Sequence, residues 1–262
     1  MKMKIGVFDS GLGGLIIARE IRKAMPEYDY AYLGDTKRLP YGNKTQEKIY
    51  QNTIEALTYL FEQDCILIVV ACNTVSSQAL RRIQQEWLPK SKYFDRKVLG
   101  VIRPTAEIVS KYKNIGLIGT IRTVDSKAYL QELKKINKNI KLLAKATPKL
   151  VPMIESGIHN ERILKNYLAP FRNVEILIFG CTHYGMLKKQ IQNILGSKIK
   201  IIAQEELLSK KLKSYLIKHK EITKKLSKNK KFELLVTKAN RRYKKLALEW
   251  FGKKNIKKIE LF

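Results

Sequence analysis

Ile66-Leu67-Ile68-Val69-Val70 runs into Ala71-Cys72-Asn73-Thr74, and further along the chain Ile176-Leu177-Ile178-Phe179 runs into Gly180-Cys181-Thr182-His183. Short, unbroken apolar runs ended by a polar turn predict strands buried on both faces, as in parallel sheets covered by helices. Each run delivers a cysteine, then a polar residue, to the turn that opens a helix. Two such cysteines can face one small molecule from opposite sides.

The repetition extends past the cysteines. Ile115-Gly116-Leu117-Ile118-Gly119-Thr120 resembles Ile5-Gly6-Val7-Phe8-Asp9-Ser10 at a shift of 110, and Cys181 lies 109 beyond Cys72. Shifts that agree within one residue predict an α/β protein of two similar, pseudo-symmetric halves with mainly parallel sheets and a ligand held between equivalent strand ends. The first half is expected over 1–97, with Asp9 and Cys72, and the second over 98–204, with Cys181 and His183. Residues 205–262 carry a strand pattern, Phe232-Glu233-Leu234-Leu235-Val236, and an apolar helix face of Tyr243, Leu246, Ala247, Trp250 and Phe251. This segment is expected to fold back onto the body and complete the first half.

Local signals place the connections. Leu15, Ile16, Ala18, Ile21 and Met25 have helical spacing before Pro26, Thr45 to Phe61 and Ser76 to Ile83 read as helices, and Pro104 suits a helix start. Asp9-Ser10-Gly11-Leu12-Gly13-Gly14 joins the first strand to the first helix, where backbone N–H groups favour an anion. These glycines do not spell Gly-x-Gly-x-x-Gly, and no Gly-Lys-Ser/Thr follows, so a bound carboxylate fits better than a nucleotide, the other reading being that the glycines merely allow a tight strand-to-helix turn. Pro40 and Gly42 bend a loop that is expected to carry Tyr41 at an exposed tip, where the ring is either a lid or a surface residue without a role. Pro148 and Pro152 are expected to hold 146–152 off helix.

Composition sets outer limits. The 262 residues are 45% hydrophobic, enough for a real core, and no stretch approaches the roughly 20 apolar residues that cross a bilayer. Neither membrane association nor a signal peptide is expected, and the cytoplasm is the expected compartment. Three cysteines, Cys65, Cys72 and Cys181, without Cys-x-x-Cys spacing, read as free thiols. The net charge of +29 suggests nucleic acid. Residues 205–262 hold 19 Lys and Arg against 6 Asp and Glu, and the remaining excess is spread along the chain. Diffuse lysine of this kind predicts weak, nonspecific polyanion binding at most.

A thiol titrates near 8.5 and is brought toward neutrality by a helix N-terminus or a cation, so a thiolate serves as a base and a matching thiol as an acid. If Cys72 and Cys181 flank the α-carbon of an amino acid, one removes the α-proton while the other protonates the opposite face, without a cofactor. Three other readings stay open on spacing alone. They are a zinc site of Cys72, Cys181 and His183, a single Cys-His nucleophile pair, and two buried structural thiols. Cys65 reads as such a structural thiol.

Taken together, Phe8-Asp9-Ser10-Gly11-Leu12-Gly13-Gly14, Gly34-Asp35 with Pro40-Tyr41-Gly42, Ala71-Cys72-Asn73-Thr74, Leu150-Val151-Pro152 and Gly180-Cys181-Thr182-His183-Tyr184 resemble the glutamate racemases, in the cofactor-independent aspartate/glutamate racemase group. The resemblance covers nearly the whole chain. It implies interconversion of L- and D-glutamate for peptidoglycan, with Cys72 and Cys181 as the two acid/base residues and Asp9 and His183 assisting them. It also implies a glutamate pocket of Ser10, Pro40, Tyr41, Gly42, Asn73, Thr74, Thr120, Thr123 and Thr182, with Glu155 as an acid behind it. No cofactor and no metal are expected, and a homodimer is. An aspartate racemase of the same group is the nearest alternative, and a basic nucleic-acid-binding protein on this scaffold is the alternative of another class.

Several residues depart from the usual pattern of that group: Arg103 for Glu, Arg122 for Gly, Thr147 for Cys, Gly185 for Pro, and Ala203-Gln204 for Asp-Ser. None of them removes an expected catalytic residue.

Overall fold

Burial on both faces organises the strands. The computed structural model describes residues 2–158, 160–252 and 256–261. In it β1 (Lys4–Asp9), β2 (Tyr30–Gly34) and β3 (Cys65–Val70) are buried almost throughout, as their apolar runs require. With β4 (Lys97–Leu99), β9 (Phe232–Val236) and β10 (Lys257–Lys258) they form one parallel sheet in the order β10-β9-β2-β1-β3-β4. A second parallel sheet has the order β6-β5-β7-β8, from β5 (Asn114–Gly119), β6 (Lys141–Ala146), β7 (Ile176–Gly180) and β8 (Lys200–Ile202).

The internal repeat holds at the level of register. The order β2-β1-β3-β4 matches β6-β5-β7-β8 strand for strand. Phe8 pairs with Val70 between β1 and β3, and the residues at shifts of 110 and 109, Ile118 and Phe179, pair between β5 and β7. Chain order reverses between β1 and β3 and again between β5 and β7, so a crevice opens beyond the carboxyl ends of both strand pairs. Cys72 and Cys181 follow β3 and β7, one at each crevice.

Two boundaries differ from expectation. The 98–204 range begins one strand too early, because Val98 and Leu99 lie in β4 and pair with Ile68 and Val69 of β3 in the first sheet. A short Val-Leu run does not carry the identity of its sheet. The stretch expected to be held off helix contains the helix Leu150–Ser156, with Pro152 as its third residue. There the missing N–H costs nothing, since first-turn amides have no acceptor inside the helix.

The lysine-rich end is structural. β9 pairs in parallel with β2, Tyr243, Ala247 and Phe251 are buried on the helix Arg241–Phe251, and the Phe251 ring stacks on Phe232 at 4.4 Å. Thr45 caps the helix Gln46–Glu62 by accepting from the Lys48 N–H, close to the expected start. No helix among the described residues is long and apolar enough to cross a membrane.

Candidate active site

The carboxyl ends of strands from both sheets meet at one cavity. From the first half it is lined by Ser10 after β1, by Cys72, Asn73 and Thr74 after β3, and by Pro40, Tyr41 and Gly42 of the loop after β2. From the second half come Thr120 after β5 and Cys181, Thr182 and His183 after β7. The two cysteines therefore face one cavity, as do nine of the other expected residues. Asp9, Thr123 and Glu155 stand behind it. Thr147, Pro148 and Val151 also line it, unannounced by the spacing argument.

Close approach between the halves needs glycine at the first turn. A Cβ on Gly13 would lie 2.4 Å from the His183 backbone nitrogen, and one on Gly14 would lie 2.2 Å from Asp9 Cβ. The turn is thus pressed against the Thr182-His183 segment on one side and the Asp9 side chain on the other.

The anion expected in that turn is the protein's own. Asp9 Oδ2 accepts the backbone N–H groups of Gly11 and Gly14 at 2.9 and 3.1 Å, and Thr182 donates to Oδ1 at 3.3 Å. Asp9 is fully buried, which pushes its carboxyl up, opposed by the His183 charge and by these hydrogen bonds. Those two amides are therefore not free for a bound carboxylate.

The two thiols sit in different electrostatic surroundings. Cys72 Sγ lies 3.2 Å from the Ser10 hydroxyl, and burial first, then the Asp9 charge, pushes the Cys72 thiol up to about 12. Cys181 Sγ lies 3.7 Å from His183 Nδ1, whose other ring nitrogen is 2.6 Å from Glu155 Oε1. Burial works against an imidazolium, but the hydrogen bonds to Cys181 and Glu155 outweigh it and raise His183 to about 10. Cys65 lies apart, fully buried in the first half, and burial also pushes it to about 12. Among the described residues no group of three or more His, Cys, Asp or Glu side chains is placed to hold a metal ion, so the zinc alternative has no ligand set.

The loop carrying Tyr41 departs from the exposed-tip expectation. Tyr41 is 2% exposed, and its hydroxyl donates to Asp35, which also receives Arg38 and, at 2.9 Å, the Thr237 hydroxyl from the end of β9. A buried carboxylate with several donors holds the loop down, and Tyr41 goes under with it. Gly42 meets the second half, where an added Cβ would lie 2.9 Å from Thr120 Cβ. The Thr120 hydroxyl is 2.9 Å from that of Thr74 and 3.0 Å from that of Thr123.

Of the unusual residues, Arg122 joins the halves: its guanidinium donates to the Lys44 carbonyl at 2.7 Å, and its own carbonyl accepts Gln78 at 2.7 Å. Thr147 is buried against the Tyr184 hydroxyl at 2.6 Å. Arg103 makes an exposed pair with Glu107 that contributes little.

No family model matches the chain. A curated glutamate racemase of Aquifex aeolicus is 39% identical over 222 residues, 82% of this chain and 84% of that protein. The crystal structure of the glutamate racemase of Francisella tularensis in complex with D-glutamate superposes with a TM-score of 0.86 at 31% identity, over 100% of this chain and 97% of that one. A glutamate racemase isoform from Bacillus anthracis superposes with a TM-score of 0.85 at 30% identity, over 99% and 97% of the two chains. Duplicated strands, thiols from both halves on one cavity, and relatives alike over most of their length lead to one assignment: the chain belongs to the glutamate racemase family.

Proposed function

We propose that the protein interconverts L- and D-glutamate by a two-base proton transfer at the α-carbon, with Cys72 and Cys181 as the acid/base pair. The observation that carries this reading is the placement of both thiols on one cavity, at equivalent positions of two duplicated sheets.

The unequal surroundings give each thiol a starting state. An imidazolium at His183, backed by the Glu155 carboxylate, supplies a counter-charge to a Cys181 thiolate. Cys72, raised by burial and by Asp9, begins as the neutral thiol. The Cys181 thiolate takes the α-proton and becomes a thiol, and the electron pair left on the α-carbon takes the Cys72 proton from the opposite face, leaving Cys72 as thiolate. The reverse direction runs the same steps backward. The α-proton is far less acidic than a thiol, so the transient negative charge needs donors in a dry site. Ser10, Asn73, Thr74, Thr120 and Thr182 offer hydroxyl and amide groups on cavity walls that leave Cys72 and Cys181 only 5% and 8% exposed.

In this reading the protein works without a cofactor, in the cytoplasm and as a homodimer, supplies D-glutamate for peptidoglycan, and touches polyanions only weakly through its lysines. Circular dichroism of L-glutamate and L-aspartate incubated with the protein, without pyridoxal phosphate, tests it. The glutamate signal is expected to decay to zero while aspartate holds. Decay of aspartate alone assigns the other amino acid, and decay of neither rejects racemisation.

A further inference from the structure

Behind Asn73 lies a small buried network drawn from distant parts of the chain. Asn73 donates through Nδ2 to Gln204 Oε1 at 2.6 Å, and the Tyr129 hydroxyl donates to Asn73 Oδ1 at 2.6 Å. Gln204 Nε2 reaches the Tyr129 hydroxyl at 2.6 Å, Thr105 Oγ1 at 3.0 Å and Asn73 Oδ1 at 3.2 Å. All four side chains are buried. Thr105 and Tyr129 come from the helices Ile102–Val109 and Ala128–Ile136, and Gln204 opens the helix Gln204–Lys218.

The hydrogen bonds have a forced direction. An amide exchanges its oxygen and nitrogen by a half-turn, so neighbours of known polarity must decide its orientation. Thr105 spends its only hydroxyl proton on the Val101 carbonyl at 2.7 Å, so it offers Gln204 a lone pair. Gln204 must therefore turn its NH2 group to Thr105, which leaves Oε1 to accept from Asn73. The second Gln204 N–H goes to the nearer acceptor, the Tyr129 oxygen, and the Tyr129 proton fills Asn73 Oδ1. What remains on the Asn73 amide is one N–H, on a residue that lines the cavity. A donor there suits a carboxylate, and the flipped amide would offer it an oxygen instead.

We propose that Gln204, oriented by Thr105 and assisted by Tyr129, is a positioning residue that locks the Asn73 amide with its donor available to the carboxylate of the ligand. The inference rests on the glutamate reading above. Gln204 touches no substrate in this account, and its whole effect runs through Asn73.

A double-mutant cycle on KM for glutamate tests this, with Gln204→Met, Asn73→Ala and the pair, and melting temperatures measured alongside. Methionine keeps length and volume and removes the polar atoms. KM is expected to rise about tenfold in each single variant and no further in the double, with kcat within about threefold, because a residue that acts through Asn73 has nothing left to act on. Tyr129→Phe, which removes a single hydroxyl, takes the place of Gln204→Met in the cycle if the methionine variant does not fold. A double variant whose KM rises by the product of the single effects overturns the proposal. So does a lowered melting temperature with KM unmoved. Wild-type protein that neither binds glutamate in calorimetry nor racemises it instead overturns the glutamate reading itself, before any variant is made.

Discussion

His183 Nε2 lies 2.6 Å from Glu155 Oε1, on the opposite side of the imidazole from Cys181 Sγ. The ring is thus held between a carboxylate and a thiol, the arrangement in which a histidine keeps its proton well above its ordinary range.

Glu155→Gln keeps the shape of that contact and removes its charge. Racemisation is expected to fall roughly tenfold to a hundredfold, a fraction of what a positioned acid or base contributes. The falling alkaline limb of the pH profile is expected to move to lower pH, because His183 drops from about 10 toward 6.5. An unmoved limb would detach Glu155 from the acid/base machinery.

Linkage gives the same pair a signature in stability. The His183 pKa is raised on folding, so its contribution is full below about 6.5 and is lost as pH rises through about 10. Urea unfolding of wild type and His183→Gln should therefore differ most at pH 6 and converge above pH 10. A gap that widens with pH contradicts the assignment.

The unequal thiols predict unequal reactivity. With iodoacetamide at pH 7, Cys181 is expected to be alkylated ahead of Cys72, since the Cys72 thiol is pushed up to about 12, and Cys65 last, since it is pushed up equally and is fully buried away from the cavity. Peptide mapping by mass spectrometry reads the order directly. Equal rates at Cys72 and Cys181 would remove the asymmetry on which the starting states rest.

Much of the fold was legible because buried parallel strands write themselves as unbroken apolar runs. The 110 and 109 shifts reappear as the equivalent pairs Phe8 with Val70 and Ile118 with Phe179. The thiols were legible for a related reason: each ends such a run, where an α/β crevice must open. What stayed hidden depends on partners far away in the chain. Thr237 reaches Asp35 across 202 positions and Gln204 reaches Asn73 across 131, and nothing local in either residue signals the contact. Tyr41 misled because its loop chemistry is that of an exposed tip, while the buried Asp35 carboxylate that draws it inward lies outside the turn. The glycine turn misled in another way, since an anion site was correctly indicated but Asp9, at its own start, fills it.

The most direct test of the two-thiol account is racemisation of L-glutamate in D2O by wild type, Cys72→Ser and Cys181→Ser, followed by circular dichroism and by deuterium at the α-carbon. Wild type is expected to give D-glutamate carrying deuterium, and each serine variant to lose racemisation by about 10²- to 10⁴-fold while remaining folded. Near-normal racemisation in either folded variant would contradict the account, because a single thiol would then suffice.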